Sequence, residues 1–475
     1  MNGPIRKVTI FVAVLLAALL ANLTWISVVR ADSLLAEGRN RRVRDAEFAR
    51  DRGAILVGNE PIAESVQGSG RFPYLRTYPQ PSLWSSVTGW YSYDFGRSGL
   101  ESSYNEQLAG TSSDQAFGRL VDLVTGRNSG GANLATTLNP AAQAAAVRAL
   151  GDKRGAVVAL DYTTGAILAL ASTPTYDPNR LATVDLKEAQ TAWDELLNAA
   201  DEPLKARATR EVYPPGSTFK LVTAAAALAD GMVPDTMVDS PDSLPLPNSS
   251  RTMGNSTDCG GQRVSLQQAL QTSCNTAFGN LGLQLGADKI REQAEAFGFN
   301  QDPTVDIAAA TSRYPEDLDE AQTALTAIGQ FDVAASPLQI AQVAAAIAND
   351  GVMMQPYLVS SVTNRDLSVL TSHSPREQSR PLTESNAKLL QQMMVAVVEK
   401  GTGKPARVDG VTIGGKTGTA QTAPDRPPYA WFVGYADDPS VAIVAFVENA
   451  DVGRDDISGG KLAAPIFKAT LEALR

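Results

Sequence analysis

The octapeptide Tyr213-Pro214-Pro215-Gly216-Ser217-Thr218-Phe219-Lys220 sets a hydroxyl and an amine three residues apart. Pro214, Pro215 and Gly216 cannot propagate a helix, whereas FKLVTAAAALAD can, up to a cap at Gly231. Ser217 is therefore expected at a helix start, with Lys220 on the same face and within reach of its hydroxyl. A serine there often serves only as an N-cap. The chemical alternative is a serine nucleophile with lysine as its base, facing the unpaired N–H groups of the helix end. Spacing alone cannot choose, because Ser-x-x-Lys recurs at Ser385 to Lys388 and at Ser458 to Lys461. Surroundings separate the copies: Lys388 sits in polar TESNAK and Lys461 follows Gly459-Gly460, whereas Lys220 opens an apolar run without a carboxylate. An amine so placed loses solvation, which lowers its pKa and suits it to be a base near neutral pH.

Composition leaves few other chemistries open. The one histidine, His373, lies in the polar stretch TSHSPREQSR and reads as a solvated loop residue, so histidine-rich metal sites are excluded. Two cysteines cannot build a four-cysteine zinc site, and no metal or cofactor is expected. A net charge of −10 and the lack of long Lys/Arg runs argue against nucleic acid as a partner. The tempting GTGK at Gly401 to Lys404 is no phosphate loop, since Pro405 stands where Ser or Thr is required.

Two further fragments carry polar groups suited to a site. Ser273-Cys274-Asn275 follows the helix-like SLQQALQT, which a capping box from Ser265 to Gln268 would open. Lys416-Thr417-Gly418-Thr419 lies on a strand candidate, where an edge strand with an exposed lysine is the ordinary reading. Gly418 weakens a strand unless backbone must approach a ligand closely.

The elements that must position these residues can be traced on either side. Ala156–Ala171 reads as a hairpin around Asp161 to Gly165; Tyr429–Ala436 and Ser440–Asn449 read as another, preceded by the strand Thr412–Ala420. Helices lie between. An α/β (α+β) domain follows, with an antiparallel sheet built from both ends of residues 133–475 and flanked by helices. Residues 30–132 read as a small, mostly β or irregular module, closed by a short helix from Ser112 to Gly126. Before it, a short tail (1–7) with Arg6 and Lys7 precedes an apolar run from Val8 to Val29, about 33 Å long as a helix. That length fits a transmembrane anchor, although Val29-Arg30-Ala31 also resembles a signal-peptide cleavage site. The positive flank stays inside, so the rest of the chain is expected outside the cytoplasm.

Taken together, Ser-x-x-Lys at a helix start, Ser-x-Asn after a helix and Lys-Thr-Gly on a strand resemble the penicillin-binding proteins and serine β-lactamases. ASTPTYDPN, AIGQFDVAASPLQIA, AWFVGYA and GGKLAAPIF resemble segments of a penicillin-binding transpeptidase domain. RGAI and SGLESSYNEQLAG resemble the non-catalytic pedestal of the class B members, and VTGWYSYDFGRSGLE resembles their actinobacterial penicillin-binding protein A group. The resemblance implies a membrane-anchored D,D-transpeptidase that cross-links peptidoglycan stem peptides through a serine acyl-enzyme and is acylated by β-lactams. It implies Ser217 as nucleophile, Lys220 as base, Ser273 as proton relay and Asn275 as holder of the substrate amide and of Lys220. Lys416 would supply charge for the substrate carboxylate, with Thr417, Gly418 and Thr419 along the substrate and the Ser217 and Thr419 N–H groups as oxyanion hole. The substrate would be stem peptides of the lipid-linked precursor polymer, and a glycan polymerase of the SEDS family is the implied partner. A D,D-carboxypeptidase, a β-lactamase or a silent β-lactam-binding sensor are the alternatives. Cys274 departs from the pattern: a bond to Cys259 would tie down the loop between them and orient Ser273 and Asn275, or else it is a buried free thiol.

Overall fold

Runs of apolar residues without polar alternation make strands that are covered on both faces. Four such runs, β1 (Arg154–Asp161), β2 (Ile167–Thr173), β4 (Tyr429–Ala436) and β5 (Val441–Asn449), form the central sheet together with the glycine- and threonine-rich β3 (Ile413–Ala420). Their order is β3-β4-β5-β1-β2, antiparallel throughout, so the two ends of the domain meet where β5 pairs with β1. The computed structural model describes residues 2–30, 41–68, 72–115, 130–423 and 426–475. The helix expected from Ser112 to Gly126 lies mostly outside the described residues, with only a 3-10 turn at Ser113–Gln115 inside them.

Seven helices position the site: α1 (Pro140–Leu150), α2 (Lys220–Ala229), α3 (Leu266–Thr272), α4 (Asn275–Leu285), α5 (Pro337–Ala348), α6 (Glu384–Glu399) and α7 (Ala464–Glu472). α1 and α7 cover one face of the sheet and α5 the other. α6 packs on β3, and α2 is buried among α4, α6 and neighbouring helices. Local chemistry sets the ends. Asn139 caps α1 by accepting from the N–H groups of Ala141 and Ala142, and Ser336 caps α5 in front of Pro337.

The front module is not confined to residues 30–132. Its six-stranded sheet runs Val369–Ser372, Val359–Thr363, Asn133–Thr136, Ile55–Val57, Glu60–Gln67 and Tyr74–Thr77, so three of its strands come from beyond the expected boundary. Ile55–Val57 would otherwise leave one edge unpaired; Asn133–Thr136 covers it in parallel, and Val359–Thr363 covers that strand in turn. Asp306 secures the junction, accepting from the N–H groups of Leu358 and Val359 and from the hydroxyl of Tyr104. Inside the module, Glu101 is fully buried between Arg52 and Arg76, with Nε···Oε distances of 2.6 Å to each.

His373 is not a free loop residue. It is half-buried, with its ring stacked on Tyr357 at 3.7 Å and its backbone N–H donating to the Ser360 carbonyl. At the other end of the chain, Asn2–Thr24 is helical and continues as a wider turn to Val29. Gly3–Val29 is long and apolar enough to cross a membrane, and none of it is buried against the protein.

Candidate active site

Ser217 lies in a single 3-10 turn, Gly216–Thr218, that runs directly into α2 at Lys220. The turn is wedged between two other segments. On one side is β3: a side chain at Gly418 would come within 2.9 Å of Thr218 Cγ2 and 3.1 Å of the Pro215 carbonyl oxygen. On the other, the Gly216 N–H donates to the Gly329 carbonyl at 3.0 Å, and a Cβ on Gly329 would strike the Gly216 oxygen at 2.2 Å. Close backbone approach thus accounts for Gly418, but the backbone that approaches it is the serine turn of the protein itself. Gly459, from the closing GGKLAAPIF segment, presses on the same spot, with its Cβ position 2.1 Å from the Trp431 oxygen. The Ser217 hydroxyl has no hydrogen-bond partner among the described residues, so it does not act as an N-cap.

Lys220 and Lys416 are both completely buried and converge on one residue, Ser273. Lys220 Nζ donates to the Ser273 carbonyl and to Asn275 Oδ1, both at 2.7 Å, and lies 3.4 Å from Ser273 Oγ. Lys416 Nζ donates to Ser273 Oγ at 2.7 Å and to the Thr417 carbonyl at 3.0 Å. β3 is an edge of the sheet, yet Lys416 is not the exposed lysine such an edge suggests, because α6 packs over the strand. Burial pushes the Lys416 ammonium down to about 7. Burial, and then the charge of Lys416, hold the Lys220 amine well below the ordinary lysine range. Ser273 ends α3 in a left-handed conformation (φ 61°), which turns its carbonyl and hydroxyl towards the two amines.

A cleft of about 1120 Å³ opens over this cluster, lined by Ser217, Ser273, Asn275, Thr417 and Thr419. Lys416 stands behind its wall, so its charge acts through Ser273 and strand β3. A smaller cavity of about 190 Å³ between front module and catalytic domain, lined by Trp90, Arg97 and Tyr176 among others, holds none of these residues.

Two site residues escaped sequence reasoning. Asn255 Oδ1 accepts from the N–H groups of Asn275 (2.8 Å) and Thr276 (3.0 Å), capping α4 from a distant loop. Thr402, in the GTGK segment, shares a 2.7 Å hydrogen bond with the Thr417 hydroxyl. Neither has a local pattern to mark it. Cys259 and Cys274 form a disulfide, Cα atoms 5.2 Å apart, that ties the loop carrying Asn255 to the residue between Ser273 and Asn275. Closing a loop of this size contributes about 3 kcal/mol. Reduction should lower the urea midpoint and slow β-lactam acylation together; identical melts with and without reductant would end that expectation.

The model of the penicillin binding protein transpeptidase domain matches residues 155–472, and that of the penicillin binding protein A dimerisation domain matches residues 52–134. The peptidoglycan D,D-transpeptidase PbpA of Mycolicibacterium smegmatis is 44% identical, over 100% of this chain and 99% of its own. The PbpA of Mycobacterium tuberculosis is 41% identical with the same coverage. Penicillin-binding protein A from M. tuberculosis, solved as a ceftriaxone acyl-enzyme complex, superposes with a TM-score of 0.87 at 40% identity, covering 90% of this chain and 99% of that one. Because the match runs through the front module as well as the catalytic domain, and leaves neither end of the chain unaligned to its relatives, this chain belongs to the penicillin-binding protein transpeptidase family.

Proposed function

We propose that the chain is a peptidoglycan D,D-transpeptidase with Ser217 as its nucleophile and Lys220 as the base. One observation carries this reading. A neutral lysine amine has two hydrogens and one lone pair; at Lys220 the Ser273 carbonyl and Asn275 Oδ1 take the hydrogens, leaving the lone pair to accept a proton. Ser217, three residues before it in the chain, lines the cleft, and its hydroxyl has no hydrogen-bond partner among the described residues.

Ser217 Oγ attacks the carbonyl between two D-alanines of a stem peptide as its proton passes to Lys220. The oxyanion is held by the Ser217 and Thr419 N–H groups, each such donor being worth about 3 to 4 kcal/mol. Ser273 Oγ accepts from Lys416, which leaves its own proton free for the departing D-alanine amine. The substrate carboxylate meets the Thr417 and Thr419 hydroxyls, with the Lys416 charge behind them. An amine from a neighbouring stem peptide then displaces Ser217. A β-lactam enters the same first step and stays. Arg6 and Lys7 hold the N-terminal end of the apolar helix at the cytoplasmic face, placing the catalytic domain outside. A SEDS-family glycan polymerase is the implied membrane partner, to be sought by co-purification of the full chain in detergent.

Mass spectrometry after incubation with penicillin G tests the central reading. One adduct is expected, on the peptide carrying Ser217, and none in Ser217→Ala. An adduct elsewhere, or none, refutes it.

A further inference from the structure

Phe331 is the one bulky aromatic residue among the described non-glycine positions with positive φ (+64°), and half of its surface is exposed. Exposure of a large apolar ring and a left-handed backbone are each unfavourable for phenylalanine. The surrounding chain imposes both. Gly329 is bonded to Gly216 of the serine turn, Asp332 pairs with Arg313 at 2.7 Å, and Ala334 exchanges two backbone hydrogen bonds with Arg313. A strained residue held from both sides beside a nucleophile calls for a functional reason.

The position of the ring supplies one. The serine turn lies between β3 and the Gly329 segment, so Phe331 stands on the side of Ser217 away from the strand that carries Thr417 and Thr419. There it lines the cleft, as do the apolar side chains of Met253, Leu325 and Ile328; Arg454 and Lys461 line the same cleft. Resting on the transpeptidase reading, the geometry points to Phe331 as a specificity-determining residue. It packs against the apolar acyl portion of the donor, on the N-terminal side of the bond that Ser217 attacks. The donor's carboxylate end lies along β3. By this assignment the ring is exposed only until substrate covers it.

Two β-lactams separate the contribution of the ring from the chemistry. Penicillin G carries an aryl acyl side chain, imipenem only a small hydroxyethyl group. Phe331→Gly is expected to lower the second-order acylation rate of penicillin G about 10-fold while changing that of imipenem by no more than about 2-fold. Phe331→Tyr should retain both rates. Glycine suits the backbone here, so Tm should hold or rise; a residue that served only packing would lose Tm instead. Equal loss with both compounds, no loss with penicillin G, or a lowered Tm in Phe331→Gly would overturn the inference. A parent protein that forms no Ser217 adduct with either compound overturns the transpeptidase reading itself, and the inference with it.

Discussion

Replacing Lys220 by methionine is expected to slow acylation of Ser217 by penicillin G by about 10³-fold or more, with the pH dependence of what remains lost. Methionine fills the unbranched slot, but its thioether is a weak acceptor and no base. In the parent protein the rate should rise with pH as Lys220 gives up its proton, because only the neutral amine can take one from Ser217. It should fall again above about pH 7, where Lys416 loses its charge and Ser273 loses a charged donor. Lys416→Arg keeps a charge that does not titrate, so the alkaline fall should vanish even where the larger guanidinium lowers the plateau. A rate profile for Lys220→Met that is merely scaled down from the parent, with both limbs intact, would remove Lys220 from the proton path.

The same two lysines make a stability statement. Their folded-state pKa values are lowered, so at neutral pH the unfolded chain binds protons that the folded chain does not. Stability should therefore climb as pH rises from about 7 towards the ordinary lysine pKa of about 10.4. Lys416→Met should flatten that climb by up to about 1.4 kcal/mol per pH unit, read from urea melts at several pH values. An unchanged slope would mean that Lys416 is charged throughout.

What could be read in advance depended on how far apart in the chain the deciding contacts lie. Ser217 at a helix start, the strand carrying Lys416 and the sheet made from both ends of the domain follow from local periodicity and breakers. The direction in which Lys416 points does not. A strand pattern marks an edge but cannot say that α6 will cover it and turn the amine towards Ser273. Gly418 was recognisable as a site of close approach, but the partner was the serine turn, some two hundred residues upstream. Asn255 and the strand Val359–Thr363 have no local mark, since a loop amide becomes a cap, and a short strand an edge partner, only through tertiary contact. Phe331 carries a conformation that propensity argues against, and such conflicts between local preference and global fold gather where function imposes them.

The largest effect on stability is expected far from the cleft, from Glu101→Gln. The segments RGAI and SGLESSYNEQLAG meet through this carboxylate: Arg52 from the first donates to Glu101 Oε2 and to Asn105, and Arg76 donates to Oε1 and to the Gly53 carbonyl. Tyr78 adds its hydroxyl at 3.2 Å. Burial alone would push the Glu101 carboxyl up, but Arg76 and Arg52 outweigh it and hold it below the usual carboxylate range. Glutamine keeps the shape and one acceptor while leaving the buried Arg76 without a carboxylate and Arg52 with only Glu47, 3.9 Å away, a change that costs about 3 to 5 kcal/mol. Because the folded pKa is lowered, the contribution of Glu101 is complete above the unfolded value of about 4.3 and is lost as pH falls through the folded one. The mutant should therefore differ most from the parent near neutral pH and converge with it in acid. The front module's sheet takes Val359–Thr363 from the catalytic domain, and Asp306 is held by Tyr104, so the loss should not stay local. Thermal melts of Glu101→Gln should show one transition at lower temperature, with β-lactam acylation lost in the same step. If the front module instead melts alone while acylation persists, the two modules are not coupled through this junction; a mutant within about 1 kcal/mol of the parent at neutral pH would show that the buried triad contributes no net stability.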